Sequence, residues 1–284
     1  MKKSAIIICL IVCSFNLCFS QVPKHNLEIT YISNEGFLLT SINHKILIDG
    51  LYSNGYGIFS VPPKEVPDKI MNTEAPFDNI EMLMLTHYHK DHCDPELINK
   101  YLSKYKNVRF VSSEQSIVFI DGNCFGFIGK KKQFDIMTPE LNQSVSKTVD
   151  NVPIKAFGLK HLSFYNKDSI DLEQTMFNVS FLFEMDGIRI FHSGDIEKDA
   201  FQNYLKNHKW TDSVDIAFLY EGLLDSESGL DYVLNLLHPK YIVAMHVQPK
   251  EEEACVDKIK KLKTRFPNIM FFRNPMDSKI VHIF

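Results

Sequence analysis

Apolar positions along the chain fall into short runs, and most of these runs have the length and spacing of strands. Leu27 to Tyr31, Gly36 to Thr40 and Lys45 to Ile48 predict three strands, joined by tight turns at Asn34-Glu35-Gly36 and Asn43-His44. Ile80 to Leu85, Val108 to Val111, Val152 to Leu159, Val214 to Leu219 and Tyr241 to Met245 are apolar nearly throughout, the pattern of strands buried on both faces. Phe177 to Glu184 and Ile188 to His192 flank Met185-Asp186-Gly187, an Asp-Gly signal for a hairpin. Ile269 to Phe272 and Lys279 to Ile283 close the chain as strands. Helical spacing appears in Pro95 to Tyr105, with Asp94 as its cap and Pro95 in its first turn. It appears again in Leu230 to Leu237 and in Lys250 to Phe266, and Ser113 to Val118 reads as a helix start. The proline-rich stretch Leu51 to Asn79 is a long loop, interrupted by a helix near Lys64 to Met71. Ile120 to Phe134, rich in glycine and aromatic residues, reads as a loop or irregular hairpin. Strands and helices alternate in both halves with no break in composition, which predicts one α/β domain built of two similar halves.

The first twenty residues stand apart from this pattern. Lys2 and Lys3, the apolar run Ala5 to Val12 and the small residue Ser20 predict an export signal cleaved before Gln21. The run is shorter than the ~20 apolar residues of a comfortable membrane span. An uncleaved anchor therefore fits less well, and so does a lipoprotein acylated at Cys18, because Phe15 and Leu17 are too large for the positions before such a cysteine. The expected mature protein is a single domain from residue 21 to 284, periplasmic or secreted and without a membrane span. Its cysteines, Cys93, Cys124 and Cys255, are odd in number and widely spaced, which is not a disulfide framework. Cys93 adjoins His92 and is either near a metal or simply buried. The formal net charge is −4, and losing Lys2 and Lys3 takes it to about −6. With one short basic cluster, Lys130-Lys131-Lys132, the chain lacks the footprint of a nucleic-acid binder, so a small-molecule substrate is expected. Oligomeric state leaves no signature in the sequence.

One segment carries the chemistry. Thr86-His87-Tyr88-His89-Lys90-Asp91-His92 places three imidazoles and a carboxylate in the order His-x-His-x-Asp-His, directly after the buried strand Ile80 to Leu85. Crowded so close, these groups each need a polar partner or lose hydration at a cost of about 1–3 kcal/mol. A divalent cation satisfies all of them together. Imidazole nitrogen and carboxylate oxygen suit zinc, and iron or manganese less exclusively. Three further ligand-type residues follow strand ends: His161 after Val152 to Leu159, Asp195 after Ile188 to His192, and His246 after Tyr241 to Met245. Open α/β sheets place their binding crevice at such strand ends. Taken singly, each of the three reads as a surface, turn or core residue; the first motif makes ligation the better account. His192 is expected to be buried or to support a ligand, and His238 belongs to the turn before Pro239.

The order of these segments resembles the metallo-β-lactamase superfamily of metal-dependent hydrolases. The resemblance rests on the early strands ending in Asp49, the His87-x-His89-x-Asp91-His92 motif, His161, Gly194-Asp195 and His246, and it spans most of the mature chain. It implies a four-layer αββα sandwich with two metals at one edge. His87, His89 and His161 would hold one ion, Asp91, His92 and His246 the other, and Asp195 would bridge them. The implied cofactor is a pair of Zn2+ ions, with Fe or Mn as alternatives. A carboxylate at Asp195, where true β-lactamases carry cysteine or serine, points to the wider hydrolases and makes β-lactam cleavage a minor alternative. The nearest pattern is lactonase-like, although Ser33-Asn34 stands where such proteins often carry a histidine.

The chemistry implied is attack by a metal-bridging hydroxide on an ester, lactone, thioester, amide or phosphodiester. Asp91 is the expected catalytic residue, orienting the nucleophile and moving a proton to the leaving group. Asp49 is either a strand-end turn residue or a hydrogen-bond partner of a ligand histidine. Substrate selection is expected from Leu51 to Asn79, from Cys124 to Phe127 and from Tyr220-Glu221-Gly222. A non-catalytic metal module, or an iron redox protein on the same fold, stays open; diiron electron-transfer relatives carry glutamate at the position of His89.

Overall fold

A computed structural model describes residues 25–284, so the expected export signal lies outside the described residues. The chain opens with β1 (His25–Ser33), β2 (Gly36–Thr40) and β3 (Lys45–Ile48), an antiparallel run. It continues through α1 (Glu65–Asn72), β4 (Met82–Met84), α2 (Pro95–Lys104), β5 (Arg109–Ser112), α3 (Glu114–Asn123) and β6 (Phe134–Ile136). The second half holds β7 (Ser144–Val149), β8 (Val152–Lys160), β9 (Phe177–Met185), β10 (Ile188–His192) and α4 (Ala200–Leu205). It ends with β11 (Ile216–Tyr220), α5 (Glu227–Leu237), β12 (Tyr241–Met245), α6 (Glu252–Leu262), β13 (Ile269–Phe271) and β14 (Ser278–Ile283).

These strands form two seven-stranded sheets, ordered β14-β1-β2-β3-β4-β5-β6 and β13-β12-β11-β10-β9-β8-β7. The period-2 alternation of side chains explains the layering. Phe37, Leu39, Ile46, Ile48, Met82 and Met84 point between the sheets and meet Val179, Phe181, Phe183 and Ile190 of the other sheet. Leu38, Leu47 and Leu83, on the opposite face, pack under Val66 and Ile70 of α1, Ile98 and Leu102 of α2, and Ile117 and Ile120 of α3. In the second sheet Ala217, Leu219 and Ile242 pack outward against α4, α5 and α6 through Phe201, Leu230, Val233 and Ile259. Each strand buried on both faces reads as a continuous apolar run for this reason. The result is the αββα sandwich expected from the sequence.

Local signals act as expected at the element ends. The Asp94 carboxylate accepts the Leu97 amide at the start of α2, and Ser113 and Ser226 cap α3 and α5 in the same way. Asp186 and Gly187, both at positive φ, make the two-residue turn between β9 and β10. Three segments differ from expectation. Ile120 to Phe134 is not a loop or hairpin: α3 runs on to Asn123, and a 3-10 helix, Ile128–Gln133, leads into β6. Phe127, fully buried on Phe110 and Phe134, holds that stretch in place. The edge strand β7 leaves no apolar run in the sequence because Val145 to Thr148 are exposed and mostly polar, and α4, only 6 residues long, is too short to show helical spacing. Among the described residues no helix is long and apolar enough to cross a membrane.

Candidate metal centre

Four strands deliver the candidate ligands to one edge of the sandwich. β4 ends just before Thr86-His87, β8 just before His161, β10 three residues before Asp195, and β12 just before His246. Two of these junctions demand unusual backbone. Gly194 lies at φ +57, and a Cβ there would run into Asn178 Oδ1, the atom that accepts the Asp195 amide at 3.2 Å. His246 itself is held at φ +61.

The structure brings all seven sequence-predicted residues together in two clusters. In the first, His87 Nε2 lies 3.1 Å from His89 Nδ1, 3.3 Å from His161 Nε2 and 3.8 Å from Asp195 Oδ2. In the second, Asp91 Oδ2 lies 3.6 Å from His92 Nε2 and 3.3 Å from His246 Nε2. Asp195 stands between them: Oδ1 is 3.6 Å from His92 Nε2 and Oδ2 is 3.2 Å from His246 Nε2.

The far side of each ring decides which nitrogen faces inward. His92 Nδ1 donates to Asp49 Oδ2 at 3.1 Å, so Asp49 is the partner of a histidine and not merely a turn residue. His161 Nδ1 donates to the Leu162 carbonyl at 2.7 Å, and His89 Nε2 to Glu173 Oε2 at 3.0 Å. Thr86 Oγ1 donates to Asp49 Oδ2 at 2.6 Å and therefore accepts from His87 Nδ1 at 3.0 Å. With their protons used outside, the inward nitrogens present lone pairs to one another. Lone pairs converging at about 3 Å repel unless a cation lies among them.

Other features fit a metal as well. His92 Nε2 and Asp195 Oδ1 are buried and have no hydrogen-bond partner. Burial and the neighbouring rings push His87 well below the usual histidine range, and burial lowers His161, which favours the neutral imidazole that ligates. Burial works against charge on His92, but Asp91 and Asp195 outweigh it and hold it well above its ordinary value. Burial also raises Asp195, but His246 and His92 overcome this and keep its carboxylate well below the usual range. The same negative field would hold a cation.

A cleft of about 530 Å3 opens over both clusters. Tyr56, Ile58 and Phe59 line it from the long loop after β3, Leu162 to Phe164 from the loop after β8, and Tyr220 and Glu221 from the end of β11. Cys124 to Phe127 do not reach it; Cys124 and Phe125 line a separate surface depression beside α2. Cys93 is buried in the apolar layer beneath α2, away from the inward face of the cluster. His192 is fully buried; its Nδ1 accepts from the Gly194 amide, so its Nε2 donates to the Glu35 carbonyl at 3.1 Å. His238 caps the C-terminus of α5 at φ +48 and is exposed. Three residues at the site were not foreseen: Asn34 and Glu35 in the β1–β2 turn, and Glu173 in the loop before β9. In the structure a Cβ at Gly36 would lie 2.7 Å from the Asp49 carbonyl, so the turn presses against the site, but in the sequence Asn-Glu-Gly reads only as a turn.

The family described as a beta-lactamase superfamily domain matches residues 28–246. No curated protein matches the chain in sequence. Among solved structures, Igni18, a metallo hydrolase from the archaeon Ignicoccus hospitalis, superposes with a TM-score of 0.57 at 15% identity, covering 91% of this chain and 99% of that one. YhfI, a metallo-beta-lactamase fold protein from Bacillus subtilis, gives 0.54 at 13% identity over 91% of this chain and 100% of its own. CmlA, a diiron beta-hydroxylase from Streptomyces venezuelae, gives 0.52 at 13% identity over 93% of this chain and 55% of its own. The family match covers the segment from β1 to the His246 junction and the solved structures share the sandwich, so the chain belongs to the metallo-β-lactamase superfamily of metal-dependent hydrolases.

Proposed function

We propose that this protein is an exported hydrolase that holds two divalent cations and cleaves an ester, lactone or thioester, with a phosphodiester as the poorer fit. The observation that carries the reading is the meeting of the two clusters at Asp195, at the foot of an open cleft. His87, His89 and His161 would hold one ion, Asp91, His92 and His246 the other, with Asp195 shared. Zinc suits this donor set, and iron or manganese also accept it. Cations there supply a water acidified toward neutrality and a Lewis acid for the substrate oxygen.

The chain's own residues do the rest. Asn34 Nδ2 donates to Asp91 Oδ2 at 3.2 Å and to its carbonyl at 3.3 Å, which fixes the carboxylate. Asp91 is then placed to orient the attacking water and to pass its proton to the leaving group. The cleft walls favour an uncharged substrate with an apolar part. Ile58, Phe59 and Phe164 offer apolar contact, Glu173, Glu221 and Glu251 are acidic, and among the described residues no Lys or Arg lines the cleft. Lys258 pairs with Glu221 at 2.5 Å and Lys250 lies 3.9 Å from Glu251, but neither cation is on the cleft wall, so a phosphodiester would meet carboxylates there and no Lys or Arg to bind its own charge. Export rests on Lys2, Lys3 and the apolar run that follows them.

Metal analysis of the mature protein from Gln21, paired with a panel of an ester, a lactone, a thioester, a phosphodiester and a β-lactam chromogen, tests the reading. The expected result is about two metal equivalents and turnover within the first three classes. Iron with no hydrolysis would move the site to redox chemistry, and no metal after reconstitution would overturn the assignment.

A further inference from the structure

Turns between adjacent strands ordinarily face solvent, because their backbone groups need water. The β1–β2 turn does the reverse. Ser33, Asn34 and Glu35 are 0%, 1% and 0% exposed. The Glu35 carbonyl accepts from His192 Nε2, the Asn34 carbonyl accepts the His246 amide at 3.4 Å, and Gly36 lets the turn close on Asp49. This pinning aims the Glu35 side chain at the candidate metal centre. Its Oε2 approaches His92 from the side of Nδ1, the nitrogen that faces Asp49, at 3.9 Å, and a Glu35 oxygen, a His92 nitrogen and an Asp195 oxygen all fall within 4.8 Å of one another, so Asp195 is the shared group through which Glu35 reaches the centre.

Neither Glu35 oxygen has a hydrogen-bond partner. A fully buried carboxylate kept for structure alone would be matched by donors, as Asp49 is by the Thr86 amide and hydroxyl. No Lys or Arg is buried among the described residues to neutralise it. Glu35, Asp49, Asp91 and Asp195 are instead all buried around the two clusters, and the charge of two divalent cations matches four carboxylates.

We propose that Glu35 is an additional metal ligand, supplying a carboxylate oxygen to the ion held by Asp91, His92, His246 and Asp195; the inference rests on the two-cation reading above. The inner ion then has three carboxylates and two imidazoles against the outer ion's three imidazoles and one carboxylate. The oxygen-rich inner set suits manganese(II) or iron(II) as well as zinc(II), so the two positions differ in metal preference.

The deciding measurement is a crystal structure of the metal-loaded wild-type mature chain, with ions located by anomalous scattering. A Glu35 oxygen at ~2.0–2.2 Å from the inner ion is the expected result. Two ions with the Glu35 oxygens at hydrogen-bonding distance or beyond would overturn the inference and leave the two-cation reading intact. A wild-type protein that takes up no metal would overturn both. A competition titration against a chromogenic chelator supplies the energetic counterpart. Glu35→Gln should weaken one of the two metal equivalents by more than ~100-fold, beyond the range usual for a group behind a ligand, and leave the other unchanged. In chelator, Glu35→Gln should unfold at no lower temperature than the metal-free wild type, since it removes an unpaired buried carboxyl. Wild-type affinity for both equivalents would count against ligation.

Discussion

Asp49 Oδ2 lies 3.1 Å from His92 Nδ1, and both residues are buried at the base of the candidate metal centre. The carboxylate accepts the Nδ1–H hydrogen bond and so turns Nε2 of His92 toward Asp91 and Asp195. Its other oxygen accepts the Thr86 amide at 2.9 Å, which fixes the start of the histidine run. From the end of β3, one side chain thus orients a candidate ligand and anchors the backbone of the segment that follows β4. Asp49→Asn keeps the size but removes the negative charge and makes the tautomer ambiguous. It should weaken metal binding by about 10–100-fold. A competition titration of the purified variant checks this, and unchanged affinity would remove Asp49 from the role.

Asp91 sits differently. Its Oδ2 is close to both His92 and His246 and is held by Asn34, yet the residue also lines the open cleft. Burial raises its carboxyl, but His92 and His246 outweigh this and keep it below its ordinary value, in the form that accepts a proton. Asp91→Ala should lower kcat by at least about 10²–10⁴-fold on whichever substrate the panel identifies. Circular dichroism should be unchanged. Full turnover in that variant would place the proton relay elsewhere.

The parts of the site that were legible in the sequence share one property: each ligand-type residue follows an apolar run. A strand buried on both faces announces itself by composition, and a cluster of His and Asp at its end stands out against it. His161, Asp195 and His246 were legible in this way although far apart in the chain. Glu35 was not, because Asn-Glu-Gly is ordinary turn chemistry and nothing local tells that this turn folds inward. Glu173 meets His89 across 84 residues of chain, from a loop with no periodic pattern. The misplaced expectation for Cys124 to Phe127 has a related cause: Phe127 is aromatic because it packs in a core, not because it lines a pocket. Local pattern reports burial of elements well and the direction of loops poorly.

The cysteines offer a check on the packing of the helical layers. Cys93 and Cys255 lie under α2 and within α6, in separate apolar layers. Burial pushes the Cys255 thiol up to about 11 and raises Cys93 well above the ordinary thiol value. At pH 8 a thiol with that value is ionised to roughly one part in a thousand, and the thiolate is the reactive form. A chromogenic disulfide reagent should therefore label both only slowly in the native mature protein, with Cys124, beside the exposed Phe125, reacting first. All three should react at once in denaturant. Prompt labelling of Cys255 in the native state would show that α6 is not packed as described.

Asp186 ties the two sheets together at the end away from any catalytic role. It occupies the β9–β10 turn at φ +49, and its carboxylate accepts from Ser41 Oγ at 2.6 Å, the Asn43 amide at 2.8 Å and Asn43 Nδ2 at 2.7 Å, all in the β2–β3 turn of the other sheet. Burial raises its carboxyl, but the Ser41 and Asn43 donors together outweigh it and hold it below the ordinary value. A carboxylate lowered in the folded state contributes stability above its unfolded value, near ~3.9, and loses that contribution as pH falls through the folded value. Asp186→Asn tolerates the left-handed backbone but exchanges an ionised acceptor for a neutral amide, so it should cost about 1–2 kcal/mol at pH 7. Urea unfolding of wild type and variant, both in chelator to remove metal linkage, should give that difference at pH 7 and a smaller one as pH falls below about 3.9. A difference that stays constant with pH would mean the loss is one of shape at the turn and not of the charge that joins the sheets.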